Sequence, residues 1–458
     1  MINEEILSFV SERCGGTPVS ASYYTKIREW ESWWRGYSRP FHEFTENGAG
    51  GTPIRRQLFR MNMAKKICED WASLLLNDRV TVSVDDENGI SFVSSILEST
   101  DFLSQANRLI EKTFAVGTGA AIIRLSGETD ESGDIIPSTC RISFEWVDAA
   151  HIIPISVKSG RITEAAFVSE GIIRGQEYVY LETHTLGEDG YVITNDFFIR
   201  ENGSLVLSND SEFCSGTIHT MSDIPLFSIL TPNIQNNVDD SAGMGLSVYA
   251  DAIDCLKGVD LAFNNFCRDI KLGGKKVFIN QSLVSRDDNG NIFTPDDVAQ
   301  QLFVTIGDAD LTDNGMITEH NPELRANENA QAVQCQLNYL SFRCGLGTHH
   351  YIFEESDGRT RMTATQYMGE RQDMRQSAAK HQKNVALFIR TVVRALLLIA
   401  ADVLHLDVNK DAHISVSFDD SYFTDSESQR ARDLAELQAG VITVDEYRAK
   451  WITGGENG

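Results

Sequence analysis

Two adjacent histidines, His349 and His350, close a glycine-bounded run, Gly345-Leu346-Gly347-Thr348-His349-His350. Neighbouring imidazoles can begin a metal site, but no further ligand stands at the usual spacing, so no metal is expected there. Gly117-Thr118-Gly119 faintly resembles a phosphate loop. The full G-x-x-x-x-G-K-[ST] pattern occurs nowhere, and a turn ahead of the strand Ala120–Leu125 is the better reading. Asp310, Thr312, Asn314 and Gly315 imitate the start of a calcium loop. Its twelfth position is Asn321 where a bidentate Glu is needed, so Asn314-Gly315 is read as a hairpin turn. H-E-x-x-H, G-x-S-x-G and a defensible carboxylate pair are missing too. The chain is therefore not expected to be an enzyme or to hold a cofactor. The alternative is a soluble enzyme with an unrecognised site between residues 92 and 235.

The remaining chemistry is that of cations. Arg359 and Arg361 lie in an exposed loop ahead of a long helix, while Lys271, Lys275 and Lys276 surround the end of another. Both sets can meet a polyanion, although lysines at a helix C-terminus also complement its dipole. Arg55, Arg56, Arg60, Lys65 and Lys66 form a third cluster. With 40 Lys+Arg against 66 Asp+Glu, a net charge of −26, a solvated face or inter-subunit ion pairs are expected there rather than phosphate contacts. So acidic a chain resists non-specific adhesion to nucleic acid, yet DNA can pass it without sticking. The eight cysteines contain no C-x-x-C pair and are read as reduced thiols of a cytosolic protein. Residues 1–13 do not have the form of a signal peptide.

The elements that must position these groups follow from periodicity. Aromatics between Tyr23 and Tyr37 suit a short helix docked by its rings, and Met63, Ile67, Trp71, Leu74 and Leu75 mark an amphipathic helix. Val80–Val84 has strand character, one helix is predicted from Phe92 to Ala115, and residues 140–235 alternate as strands with a hairpin at Asn202-Gly203. Tyr249, Ile253, Leu256, Val259, Phe263, Phe266 and Ile270 form one apolar stripe ended by Gly273-Gly274. A second helix starts near Asn327, so the small β insert between the two requires them to lie side by side. From Met362 to His405 one helix of about 43 residues and roughly 65 Å is permitted. Thr363 and Gln366 have capping-box spacing, with Met362 and Tyr367 as the staple. Its second half, Val385–Leu404, is apolar nearly all round. Arg390 and Arg394 within it would cost about 2.5–3.5 kcal/mol each near a bilayer centre, so burial in protein is expected rather than a membrane span. A strand over 413–418 and two further capping boxes, Thr424 with Glu427 and Thr443 with Glu446, complete the chain.

Four blocks, in this order, carry a resemblance. They are the run from Arg55 to Asp78, the run from Gly243 to Ile279, Gly345–Phe353 followed by Met362-Thr-Ala-Thr-Gln366, and Leu434–Arg448. Together the chain resembles the portal proteins of tailed phages, in particular those of siphophages of Gram-positive hosts. It departs from their pattern at Gln366, where Glu is usual; a capping box accepts either.

The resemblance implies an α+β, portal-type subunit. Residues 1–240 would be the wing, 241–274 the first stem helix, 275–325 a small α/β clip and 326–346 the second stem helix. Residues 347–362 would be the tunnel loop, 363–423 the long helix and its return to the wing, and 424–458 a helical crown. Such subunits form a homo-oligomeric ring of about twelve at one capsid vertex, through which double-stranded DNA is packaged and ejected. The implied partners are the terminase large subunit, a head-to-tail adaptor, and the major capsid and scaffolding proteins, with no membrane. Assembly would take place in the host cytoplasm and the final location would be the virion. The DNA-facing candidates of tunnel loop and stem are Arg359, Arg361, His349, His350, Lys271, Lys275 and Lys276.

Overall fold

The computed structural model describes residues 2, 4–16, 19–47, 53–77, 80–130, 135–173, 175–201, 204–208, 216–239, 242–274, 276–280, 302–305, 317–352, 364–418, 433–435 and 437. The chain begins with helices α1 (Glu4–Cys14), α2 (Ala21–Trp34) and the short α3 (Arg39–His42), then a hairpin of β1 (Glu43–Asn47) and β2 (Pro53–Gln57). In α2 the aromatic spacing acts as expected, with Tyr23, Tyr24, Ile27, Trp30 and Trp33 all buried. Helix α4 (Met63–Leu75) buries Met63, Ile67, Trp71 and Leu75 on one face. Strand β3 (Thr81–Val84) pairs antiparallel with the last described strand, β16 (Ile414–Ser417).

The single helix expected over Phe92–Ala115 is two helices, α5 (Glu87–Ser99) and α6 (Phe102–Val116). Asp101 between them has φ 50, a left-handed conformation that no α-helix interior accommodates. Gly117 at φ 90 turns α6 into β4 (Gly119–Ser126), so the Gly-Thr-Gly sequence is a turn. Its close packing requires glycine: a Cβ on Gly117 would stand 2.8 Å from the Gly245 carbonyl carbon and nearer still to the oxygen.

Strands β5 (Arg141–Asp148) and β12 (Phe227–Leu230) flank β4 in a three-stranded sheet. The larger sheet runs β10-β9-β8-β7-β6, formed by β6 (Ile152–Lys158), β7 (Arg161–Ile173), β8 (Gln176–Gly187), β9 (Gly190–Glu201) and β10 (Ser204–Leu207), with β11 (Gly216–His219) also on β9. Ser204 pairs with Glu201 across Asn202-Gly203, which themselves lie outside the described residues.

Helix α7 (Ile253–Leu272) follows, preceded by a 3-10 turn over Ala250–Ala252. Then come β13 (Lys276–Asn280), β14 (Leu302–Thr305), β15 (Ile317–His320) and helix α8 (Ala326–Arg343). The strands on either side of Asn314-Gly315 do not pair with each other. β14 is parallel to β13 and β15 is antiparallel to it, so β13 is the central strand of the three. Asn314-Gly315 lies outside the described residues, as do the three capping boxes apart from Gln366, which is described in its backbone alone.

The long helix α9 spans Ala364–Leu398 and passes into a π-helical turn, Ile399–Val403. It ends at His405, whose φ is 53, as Leu406 N–H donates to Ala400 O at 2.9 Å. Its apolar half is enclosed by α4, α5, β12 and β16 of the same subunit. Val385, Phe388, Ile389, Val392, Val393 and Leu396 are buried there. The segment Gln372–Val403 is long and apolar enough to cross a membrane, but most of its apolar 18-residue stretch is buried within the subunit. Its two arginines stay at the helix edge. Arg390 donates to Ala386 O, and Arg394 holds the return segment through Ala412 O at 2.9 Å and Lys410 O.

Candidate functional site

The α7–α8 pair carries the small sheet at one end and the 345–352 turn at the other. The helices are antiparallel. Arg325 reaches Asp269 at 2.7 Å and Asn329 the same carboxylate at 2.8 Å, while Arg343 donates to Asp251 O at 3.1 Å. Gly258 permits the close crossing at mid-length, where Gln336 lies against it. Val259, Leu256, Val333, Leu337 and Leu340 are buried.

The apolar stripe of α7 does not persist to its end. Ile270 is 54% exposed. Two polar side chains are buried instead, and each serves the irregular segment ahead of α4. Asp260 accepts from Met61 N–H at 2.8 Å and pairs with His42 Nε2 at 3.0 Å, while Asn264 accepts from Phe59 N–H at 3.2 Å. Sequence periodicity misses these roles, because backbone amides far along the chain supply the partners that make polar burial tolerable.

The turn after α8 is fixed to α4 by a carboxylate that sequence reasoning did not single out. Asp70 receives the Tyr351 hydroxyl at 2.8 Å, lies 3.3 Å from His350 Nε2, and pairs with Lys66. Burial works to raise its pKa, but hydrogen bonds from His350, Lys66 and Tyr351 outweigh it and hold the carboxyl below its ordinary value. Tyr351 is raised, by burial first and then by Asp70. Gly345 at φ 79 makes the turn, and Trp71 Nε1 donates to Cys344 O at 3.1 Å. The legible trace was the Lys66–Asp70 spacing, a surface helix pair by itself.

Of the DNA-facing candidates, His350 is half-buried on Asp70 and His349 is partly exposed. Lys271 is exposed in the last turn of α7, and Lys276 is described only as the first residue of β13. Lys275, Arg359 and Arg361 lie outside the described residues. The third basic cluster is largely engaged within the subunit. Lys65 pairs with Glu69 and Glu111, Arg56 with Glu46 at 3.3 Å, and the Arg60 guanidinium lies 4.6 Å from the Tyr37 ring centroid.

In the 92–235 region, a cleft of about 440 Å³ opens between α6 and the sheets. Several charges at its wall pair within the subunit: Arg124 binds Glu145 and the buried Glu182, and Lys112 binds Glu31 at 2.8 Å and Asp148 at 3.6 Å. Among the described residues, no group of three His, Cys, Asp or Glu side chains is placed to hold a metal.

The sequence model of one family, phage portal protein, SPP1 Gp6-like, matches residues 20–457. That match covers the sheets, the α7–α8 pair, its insert and α9 together. The chain belongs to this phage portal protein family. Among curated proteins, none matches it. Portal proteins are structural virion components that form oligomeric rings at a capsid vertex.

Proposed function

We propose that this portal-family chain forms a ring-shaped channel through which double-stranded DNA is packaged and later ejected. Its stem is α7 and α8, its clip the β13–β15 insert, and its wing the body before residue 240. Residues 347–362 form the tunnel loop and residues after 424 the crown. The clip is the platform for the terminase large subunit and then for the head-to-tail adaptor. The observation that carries the reading is the antiparallel α7–α8 pair bearing a separate small sheet. Two helices that pack on each other only along one side, with the sheet at their tip, leave faces free for lateral neighbours.

Passage is favoured by weak binding. A chain of charge −26 offers a duplex few counterion-releasing contacts, so sliding costs little. Local contact falls to Arg359 and Arg361 at the tunnel loop, with Lys271, Lys275 and Lys276 near the stem–clip junction. Native mass spectrometry with negative-stain imaging tests the assembly. The expected species is a ring of roughly 0.6 MDa with a central hole, as a closed cyclic assembly of about twelve chains requires. A small oligomer with a turnover activity overturns the reading in favour of an enzyme.

A further inference from the structure

Among the described residues, strand β12 has β4 as its one sheet neighbour and is an edge strand. In an antiparallel pair, residues alternate between those whose N–H and C=O groups face the partner and those whose groups face away. Ile123 N–H donates to Leu226 O at 2.8 Å. Leu226, Ser228 and Leu230 therefore face β4, while Phe227, Ile229 and Thr231 turn their backbone groups to the free edge. Asn384 of α9 reaches that edge and donates to Thr231 O at 3.0 Å. The outward groups of Phe227 and Ile229 have no partner among the described residues. The edge opens into a groove of about 610 Å³, a volume usual for a binding site. One wall is the tip of the β6–β7 hairpin, residues 159–163, and the other is Asn384, Leu387 and Thr391 of α9. The Phe227 ring lies 5.1 Å from that of His184 in the large sheet, and Ser228 donates to Phe388 O in α9 at 3.0 Å. The two walls thus continue the two covered faces of β12, and the slot between them has the form of a missing strand.

We infer that the free edge of β12 binds an extended, acidic segment of another protein, which adds to the sheet as a fourth strand. Strand addition pairs the main chain of the segment with the outward groups of Phe227 and Ile229. The charge of the segment follows from the rim of the groove. Lys158 and Arg161 stand directly opposite each other in the hairpin, both exposed and without an ion pair among the described residues. Like charges so placed repel, and an anion beside them relieves the repulsion. Lys380, one turn before Asn384 on the same stripe of α9, is exposed and also without an ion pair among the described residues. Its carbonyl is held at 2.8 Å by Asn233, which lines the groove. No carboxylate lines it. Strand alternation puts Arg161, Thr163 and Ala165 on the face of β7 that His184, opposite Ala165, presents to Phe227. Glu164 is on the other face, where it takes the Leu186 N–H at 2.6 Å. Duplex DNA offers phosphates to these cations but no alternating amides and carbonyls to the strand edge, so a polypeptide is the better fit.

The test is fluorescence anisotropy of the full chain with a labelled peptide, Asp-Glu-Val-Thr-Val-Thr-Glu-Asp. Two altered peptides serve as controls, one with Lys at the four acidic positions and one with the four central amides N-methylated. Saturable binding of the parent peptide is expected, weakened at least tenfold by either alteration. The variant Arg161→Glu/Lys380→Glu is expected to bind the parent peptide at least tenfold more weakly than the wild type. The altered peptides leave the protein untouched, so they decide the matter even if the double variant folds poorly. Absence of binding to the wild type overturns the inference, whether the slot is empty or filled by a second copy of the chain. Equal binding of the N-methylated peptide overturns strand addition, and equal binding of the Lys peptide overturns the acidic partner. A short duplex that loses binding in the double variant, while the peptide does not, assigns the cations to DNA and overturns it too.

Discussion

Acidification from pH 7 to pH 5 should destabilise the subunit through one imidazole. His381 in α9 is buried between the rings of Trp71 and Phe114, at centroid distances of 4.9 and 5.0 Å. Its Nδ1 accepts the Asn233 N–H at 3.0 Å, so the ring must be neutral at that atom. Burial, and then the charge of Lys380, lowers its pKa from the ordinary 6.5 to about 3. In this window the unfolded chain binds a proton at His381 that the folded chain does not, so stability is full above pH 6.5 and falls as pH drops. Integrating the unfolded titration between pH 7 and pH 5 gives a loss of about 2 kcal/mol from this residue. Carboxylates with lowered pKa values, Asp70, Asp148 and Glu182, act in the same direction but only nearer pH 4 and below, where unfolded carboxyls titrate. His381→Gln keeps an acceptor for Asn233 and cannot titrate. Urea unfolding followed by circular dichroism at pH 7, 6 and 5 should show a smaller pH-dependent loss for the variant, by about 2 kcal/mol. Equal losses in variant and wild type would falsify the assignment of this proton to His381.

Gly117→Ala combines a positive φ with a backbone clash against Gly245, so it should destabilise by more than about 3 kcal/mol, seen as a loss of soluble protein or a large fall in Tm. Arg359→Ala/Arg361→Ala, at the proposed tunnel loop, should reduce DNA packaging or retention while native mass spectrometry shows rings as in the wild type; rings that fail to assemble would contradict that role.

Much of this subunit was legible as periodicity. The ring-bearing face of α2, the stripe of α4, the alternation of β5, β8 and β9, and the side-by-side placement of α7 and α8 follow from which residues must leave water. The apolar half of α9 announced burial. The break at Thr100-Asp101 left no strong breaker in the sequence, and the central position of β13 depends on pairings between distant segments. The candidate site was less legible. Its cations were visible as cations, while Asp70, Asp260 and Asn264 looked like ordinary helix-surface polar residues.

The sequence alone determined the composition of the faces: acidic overall, without a catalytic constellation, with apolar stripes that had to be covered and four blocks marking a portal subunit. These are local properties of side-chain type and spacing, which solvent exclusion reads directly. The tertiary structure alone decided which polar groups are enclosed and by whom: Asp70 by His350 and Tyr351, Asp260 by His42 and an amide, His381 neutral between two aromatic rings. Enclosed polar groups depend on partners tens to hundreds of residues away, and no local pattern specifies a partner that only folding brings within hydrogen-bond reach.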